Sequence, residues 1–318
     1  MQTETRIPLT VSARRDESEG VISLLLASPD ATPLPAWAPG AHIDVVLDDE
    51  MVRQYSLCSR PADAGTWRIA VLREPAGRGG SARIHDSLTA GTSVTASVPR
   101  NKFALHRASR YIFIAGGIGI TPILPMIEQA EADGADWSLL YGGRTRGSMA
   151  FLEELGRYGD RVTIAPQDEV GLLDLKSLLA VPQTGTLIYA CGPEPLLLAT
   201  EAASAHWPKN SLRVERFAPK VVETVGEDES FEVEFAESGL AAIVPPGTTI
   251  LEVAEKIGIN VFSSCQEGTC GTCETPILAG RAEHRDSLLT DSEKDEQSSM
   301  MICVSRAEHG CPKLVLKL

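Results

Sequence analysis

The sequence predicts three successive folding units: a small antiparallel β-barrel, an α/β unit on a parallel sheet, and a C-terminal domain organised by a cysteine loop. Three observations carry this. Over the first hundred or so residues, short apolar segments alternate with Pro/Gly turns, and many short strands at this spacing suggest a barrel. From about Ala108, strand-like and helical segments alternate, which calls for parallel strands joined by crossovers. In the last third, Cys265, Cys270, Cys273 and Cys303 cluster. A chain of 318 residues, 43% hydrophobic and 23% charged, suits two or three domains, each with a sizeable core.

In the barrel, His42–Leu47 and Trp67–Leu72 read as strands, and Ala38-Pro39-Gly40, Asp63-Ala64-Gly65 and Ala90-Gly91-Thr92 as turns. Arg53-Gln54-Tyr55-Ser56 sets an Arg, an aromatic and a hydroxyl along a strand, a set able to hold a phosphate and a flat ring. Alone the signal is weak, since a strand Tyr is usually a sheet residue. Gly77-Arg78-Gly79-Gly80-Ser81 precedes a helix over Ala82–Leu88. Glycines at a helix N-terminus expose N–H donors to an anion, and Ser81 is a candidate N-cap and ligand. An ordinary glycine turn would look the same.

In the α/β unit, strands are expected at Tyr111–Ala115, Trp137–Tyr141, Arg161–Ala165 and Thr186–Ala190. Helices are expected at Ile123–Asp133, Met149–Tyr158, Leu172–Ala180 and Pro193–His206. The turn Gly116-Gly117-Ile118-Gly119-Ile120-Thr121-Pro122 departs from the G-x-G-x-x-G fingerprint, with Pro122 at the third glycine position. It still allows close backbone approach to a pyrophosphate. Cys191-Gly192-Pro193 ends a later strand, where ligands of α/β sheets bind.

Phe217 to Ser230 breaks the alternation, and the acidic stretch Val222–Ser230 reads as a linker. A hairpin over Phe231–Phe235 and Leu240–Val244 and a helix over Ile250–Lys256 precede the cysteine loop. There Cys265-x4-Cys270-x2-Cys273 is followed, after 29 intervening residues, by Cys303, the spacing of a plant-type [2Fe–2S] ferredoxin. Three thiolates from one tight loop take one side of a cluster and the distant fourth closes it. Gly268 and Gly271 permit the loop to curl and to aim N–H groups at sulfur. A dithiol redox pair would want a thioredoxin-like helix after Cys270-x2-Cys273, and zinc usually takes two paired motifs. Cys58 and Cys311 fit none of these patterns.

The net charge of −14 is uneven: residues 1–225 carry 22 basic and 26 acidic side chains, residues 226–318 carry 7 and 17. That balance argues against nucleic-acid binding and suits either a solubility surface or docking to a basic protein patch. Met1–Thr10 has no apolar signal region, and Tyr111–Ile127 is broken by Gly and Pro, so neither secretion nor a membrane span is expected. The expected location is the cytoplasm, where structural disulfides are rare.

Taken together, Arg-x-Tyr-Ser, Gly-Gly-Ser, Gly-Gly-x-Gly-x-Thr-Pro and Cys-Gly-Pro resemble the ferredoxin–NADP reductase superfamily. With Glu215-Arg216-Phe217 and the C-terminal ferredoxin, essentially the whole chain resembles the phthalate dioxygenase reductase family. The resemblance implies an FMN-binding barrel (residues 1–107), an NAD(H)-binding α/β domain (108–221), a linker (222–230) and a β-grasp ferredoxin domain (231–318). It implies that Arg53, Tyr55 and Ser56 hold the flavin, with Arg78, Gly79, Gly80 and Ser81 at its phosphate. Gly116, Gly117, Gly119, Gly192 and Pro193 then border the nucleotide, Thr121 lies where nicotinamide and flavin meet, Cys191 lies beside the nicotinamide, and Phe217 covers the flavin ring. The implied reaction passes electrons from NADH to FMN to the cluster to a separate oxygenase, Rieske-type or cytochrome P450. The short glycine turn suits FMN, with FAD still open. Arg144 and Arg146, with no acid beside them after the second strand, keep NADPH open. The scattered histidines offer neither a Rieske centre nor a facial triad, which argues against the chain being an oxygenase itself. A non-enzymatic iron–sulfur sensor remains the alternative of another class.

Overall fold

A computed structural model describes residues 5–48, 51–220 and 227–318, and the chain divides into two compact units, Met1–Phe217 and Ala218–Leu318. The first unit opens with β1 (Arg6–Ser18), β2 (Val21–Ala27), β3 (Ala41–Val46), β4 (Val52–Ser56), β5 (Thr66–Leu72), β6 (Ser93–Ser97) and the short β7 (Arg100–Asn101). They form one antiparallel sheet in the order β4-β3-β6-β1-β2-β5, with β7 beside β3. A bridge between Leu57 and Ile69 joins its two edges and closes the barrel. Leu9, Leu24, Ile43, Trp67 and Ile69 fill the interior, each essentially inaccessible. Helix α1 (Gly80–Ser87) leaves the barrel after β5, and its buried Ile84 packs into the same core.

The α/β part alternates β8 (Arg110–Gly116), α2 (Ile120–Ala132), β9 (Asp136–Gly143), α3 (Leu152–Gly156), β10 (Val162–Pro166), α4 (Gln167–Val170), α5 (Leu175–Leu178), β11 (Thr186–Cys191), α6 (Glu194–Ser204) and β12 (Leu212–Glu215). Its five strands are parallel, in the order β10-β9-β8-β11-β12. The winding reverses between β8 and β11, so the crevice for a ligand lies at the carboxyl ends of those two strands. β8 is buried on both faces, as a central parallel strand must be.

Two expected helices are shorter than read. Over Met149–Tyr158 the chain first runs extended, turns through a left-handed Phe151 (φ 63°), and is helical only in α3. Met149, Ala150 and Phe151 are all buried, so the apolar run is a core segment and not one face of a helix. Within Leu172–Ala180 only α5 is helical, started by Asp174, whose carboxylate accepts from Ser177 N–H.

The second unit contains β13 (Phe231–Phe235), β14 (Leu240–Val244), α7 (Ile250–Lys256), β15 (Glu274–Ala279), β16 (Ala282–Glu283), α8 (Asp291–Glu296), β17 (Ser299–Met301), β18 (Arg306–Ala307) and β19 (Lys313–Leu316). The sheet order is β14-β13-β19-β15-β17, with β19 inserted parallel to β13. α7 starts in a capping box of Thr249 and Glu252 and lays Ile250, Leu251 and Val253 on the core with Phe231, Val233 and Phe235. A mixed sheet grasping one helix is the β-grasp of a ferredoxin. The proposed linker lies partly outside the described residues: only 227–230 of 222–230 are described.

Candidate functional site

Strand β4 presents Arg53, Tyr55 and Ser56 in sequence. The Arg53 guanidinium donates to the Arg78 carbonyl (2.9 Å) and to its neighbour Val52 (2.8 Å). Its stem lies over Gly80: a Cβ there would stand 2.5 Å from Arg53 Nε. Arg53 is therefore held at the N-terminus of α1. Gly79 caps this helix in the left-handed conformation (φ 79°), with open space where a side chain would be. Ser81 is not the N-cap expected from the sequence; its hydroxyl accepts from Glu74 N–H at 3.0 Å. Free helix N–H groups beside a guanidinium fit a phosphate, worth about 0.3–2 kcal/mol from the helix end alone. Tyr55 packs against the barrel core, and burial pushes its phenol above the usual range.

Behind β4, the buried Ser56 hydroxyl donates to Glu215, the last residue of β12. Burial pushes the Glu215 carboxyl up to about 8, against the lowering pull of Ser56. The Cys191 Sγ is 4.0 Å from Glu215 Oε2, and burial, with that carboxylate second, raises its thiol well above the ordinary range. Arg216, almost wholly inaccessible, binds Glu194 (2.9 Å) and Glu201 (2.7 Å) on α6. This anchor sets Glu215 on one side and the exposed Phe217 on the other. Glu215 is absent from the residues singled out individually by sequence. Its environment comes from β4, β11 and β12, which are distant along the chain.

The two glycine turns of the α/β part meet backbone to backbone. A Cβ on Gly119 would lie 2.3 Å from the Cys191 carbonyl oxygen and 2.7 Å from Gly192 N. A Cβ on Gly116 would lie 2.7 Å from Pro193 Cδ, and one on Gly192 would lie 3.0 Å from Gly116 Cα. Gly117 takes φ 54°, so this turn needs glycine for both close approach and conformation. Thr121 is buried, and its hydroxyl donates to the Ile118 carbonyl at 3.0 Å, holding the first turn of α2. Arg144 and Arg146 follow β9 on an exposed segment, and Arg146 is bound by Glu169 at 2.8 Å. This acid comes from α4, after β10, where the local sequence around the arginines does not show it.

In the second unit Gly268 (φ 72°) and Gly271 (φ 73°) curl the cysteine loop. The N–H groups of Glu267 and Thr269 donate to Cys265 Sγ at 3.3 and 3.5 Å, and that of Thr272 to Cys270 Sγ at 3.4 Å. Pairing of β15 with β17 sets Glu274 opposite Met301, which brings Cys273 and Cys303 to the same end. The thiols converge in a chain: Cys265 meets Cys270 and Cys303, and Cys303 meets Cys273. Cys265 is held far below the ordinary thiol range by the Cys270 and Cys303 thiols that donate to it, and those two are held far above it. Among the described residues, no three His, Cys, Asp or Glu side chains converge to hold a single metal ion. A [2Fe–2S] cluster needs only two thiolates on each iron, and four converging thiols with N–H groups aimed at sulfur fit it.

The family of 2Fe-2S iron-sulfur cluster binding domains matches residues 233–308, and that of oxidoreductase NAD-binding domains matches residues 113–202. The reductase subunit of a toluene-4-sulfonate monooxygenase system from Comamonas testosteroni is 38% identical over 98% of this chain and 99% of its own. Other relatives include the phthalate 4,5-dioxygenase reductase subunit of Pseudomonas putida and a carnitine monooxygenase reductase subunit of Escherichia coli, 36% and 39% identical. The solved phthalate dioxygenase reductase superposes with TM-score 0.72 at 34% identity, over 98% of each chain. An intact type IV self-sufficient cytochrome P450 monooxygenase superposes with TM-score 0.91 at 42% identity; the match covers 98% of this chain and 41% of that one.

Proposed function

The chain belongs to the phthalate dioxygenase reductase family, and from that premise we propose that it is the NADH-dependent reductase component of an oxygenase system whose terminal oxygenase is a Rieske-type protein. The observation that carries this is the match to oxygenase reductases along the full length of both chains. The chain is an oxidoreductase with FMN, NADH and a [2Fe–2S] cluster as its cofactors. When bound, FMN would supply acceptance of an electron pair from NADH as hydride, and the [2Fe–2S] cluster would supply one-electron transfer.

The chain's own residues divide this work. Arg53, Arg78, Gly79, Gly80 and Ser81 take the flavin phosphate, while Tyr55, Ser56 and Phe217 border its ring; the Arg53 clasp on the start of α1 supports this. Gly116, Gly117, Gly119, Gly192 and Pro193 admit the pyrophosphate to the switch-point crevice, and Thr121 and Cys191 border the nicotinamide. The Arg146–Glu169 ion pair favours NADH, because a 2′-phosphate would have to compete with a carboxylate already on that arginine. Cys265, Cys270, Cys273 and Cys303 hold the cluster. The domain limits 1–107, 108–221 and 231–318 are supported by the change from β7 to β8 and by the first strand of the second unit at Phe231.

A P450 partner is the second reading, favoured by the TM-score of 0.91 to part of a self-sufficient P450. A cytoplasmic setting is supported by seven cysteines free of disulfides. Among the described residues no helix is long and apolar enough to cross a membrane. The test is NADH-dependent reduction of cytochrome c by the flavin- and cluster-loaded protein. Turnover is expected; its absence would favour a non-enzymatic iron–sulfur sensor.

A further inference from the structure

The segment His284-Arg285-Asp286-Ser287 joins the two halves of the cysteine set. Ser287 N–H donates to the carbonyl of Gly268, inside the loop that carries Cys265, Cys270 and Cys273 (3.0 Å). Arg285 N–H donates to the hydroxyl of Ser305, two residues after Cys303 (3.1 Å). The packing is tight: a Cβ on Gly268 would stand 3.1 Å from Asp286 Cα and 2.7 Å from Val304 Cγ2.

This segment also carries buried charge. The Asp286 side chain is wholly inaccessible, and its Oδ2 accepts from Leu288 N–H (3.1 Å) and Leu289 N–H (2.8 Å). Lys294, on α8, donates to the Asp286 carbonyl at 2.8 Å and stands 4.0 Å from its carboxylate. The His284 ring, 5% exposed, has Nδ1 3.7 Å from Asp286 Oδ1, beyond hydrogen-bond reach. The Arg285 side chain turns the other way, to Asp228 and Glu283. Burial raises the Asp286 carboxyl, but His284, the Leu289 N–H, Lys294 and the Leu288 N–H together hold it below its ordinary value, so it is ionised at neutral pH.

We propose that the buried Asp286 carboxylate and the Lys294 ammonium act as a pair of opposed charges that tune the reduction potential of the cluster through the Gly268 contact. The proposal rests on the assignment of a [2Fe–2S] cluster to the four cysteines. Adding an electron beside a buried anion is disfavoured, and beside a cation favoured, because a low-dielectric setting screens neither. Asp286 therefore lowers the potential and Lys294 raises it. His284 leaves Oδ1 without a close donor, so the carboxylate is held by Oδ2 and by its charged neighbours. Asp286 and Lys294 are positioning residues, since neither is a ligand.

The test is a potentiometric titration of the full-length, cluster-loaded protein and its Asp286→Asn and Lys294→Gln variants, read by EPR, with iron and sulfide assayed on each. Asp286→Asn is expected to favour reduction about tenfold, a rise of 59 mV for one electron. Lys294→Gln is expected to shift the potential the other way, and Lys294→Arg to restore it. Shifts of the same sign, or unchanged potentials in cluster-loaded variants, would overturn the proposal while leaving the cluster assignment intact. If Asp286→Asn fails to assemble, the partly exposed Lys294 decides alone: a lowered potential supports the proposal and an unchanged one overturns it. Wild-type protein reconstituted with iron and sulfide yet lacking both would overturn the cluster assignment itself, a separate result.

Discussion

Replacing Gly119 by Ala should disable nicotinamide use while leaving the flavin in place. The backbone at Gly119 is right-handed (φ −62°), so alanine meets no conformational penalty there; the obstacle is space. Its Cβ would lie 2.3 Å from the Cys191 carbonyl oxygen and 2.5 Å from the carbonyl carbon. Contacts under 3.0 Å do not persist, so the two turns must part by at least about 0.7 Å. Both flanking strands are fixed in the sheet, so the parting falls on the crevice between β8 and β11. Overpacking of this kind costs roughly 1–3 kcal/mol of stability. A misplacement approaching 1 Å can cost about a hundredfold in rate. Stopped-flow reduction of bound flavin by NADH should therefore show kcat/KM lowered about 10- to 100-fold, with flavin content unchanged. Gly156→Ala, with nothing within 4 Å of the new methyl, is the control and should behave as wild type. An unchanged kcat/KM in folded Gly119→Ala protein would refute the assignment of the crevice to the nucleotide.

Other perturbations separate the remaining parts. Arg53→Ala removes the clasp on α1 and should weaken flavin retention by about 1–3 kcal/mol, the worth of a charge-assisted contact; flavin content unchanged after dialysis would take Arg53 out of the site. Cys303→Ser should lose the cluster yet keep reduction of flavin by NADH, since the two units have separate cores, and loss of both would contradict that independence. Glu215→Gln should flatten the dependence of stability on pH. With its carboxyl raised to about 8 in the fold against an ordinary 4.5, wild type holds a proton that the unfolded chain releases. Its contribution is fully present below about 4.5 and is lost as pH rises through about 8. Urea melts at pH 6 and pH 9 should show the wild-type loss, and an equal loss in Glu215→Gln would show that another group is responsible.

What the sequence displayed depended on whether the determinant was local. The cysteine spacing is itself the chemistry, so the cluster loop was legible, down to the glycines that curl it and the N–H groups that meet sulfur. The hairpin β13–β14 and helix α7 lie where the sequence placed them, and the structure adds the Thr249–Glu252 capping box that starts α7. Glycine turns at the ends of β8 and β11 were visible as motifs, but their mutual contact at Gly119 depends on a crossover. Helix lengths failed where burial on all sides replaced one-sided periodicity, as at Met149–Phe151. Ser81 looked like a cap because hydroxyls usually are, yet left-handed Gly79 leaves that role with no side chain. Glu215 was visible only as part of the Glu215-Arg216-Phe217 motif, without its burial, and Glu169 and Asp286 carried no local signal, because the groups that bury or pair with them lie on other elements.

The central claim is the order of carriers, and an anaerobic titration of the purified, cofactor-loaded protein with NADH tests it most directly. Visible absorption and EPR are read at each addition. The account predicts bleaching of the flavin bands together with the appearance of the EPR signal of a reduced [2Fe–2S] centre. Flavin bleaching in cluster-loaded protein without that signal would mean that electrons stop at the flavin, and would contradict the account.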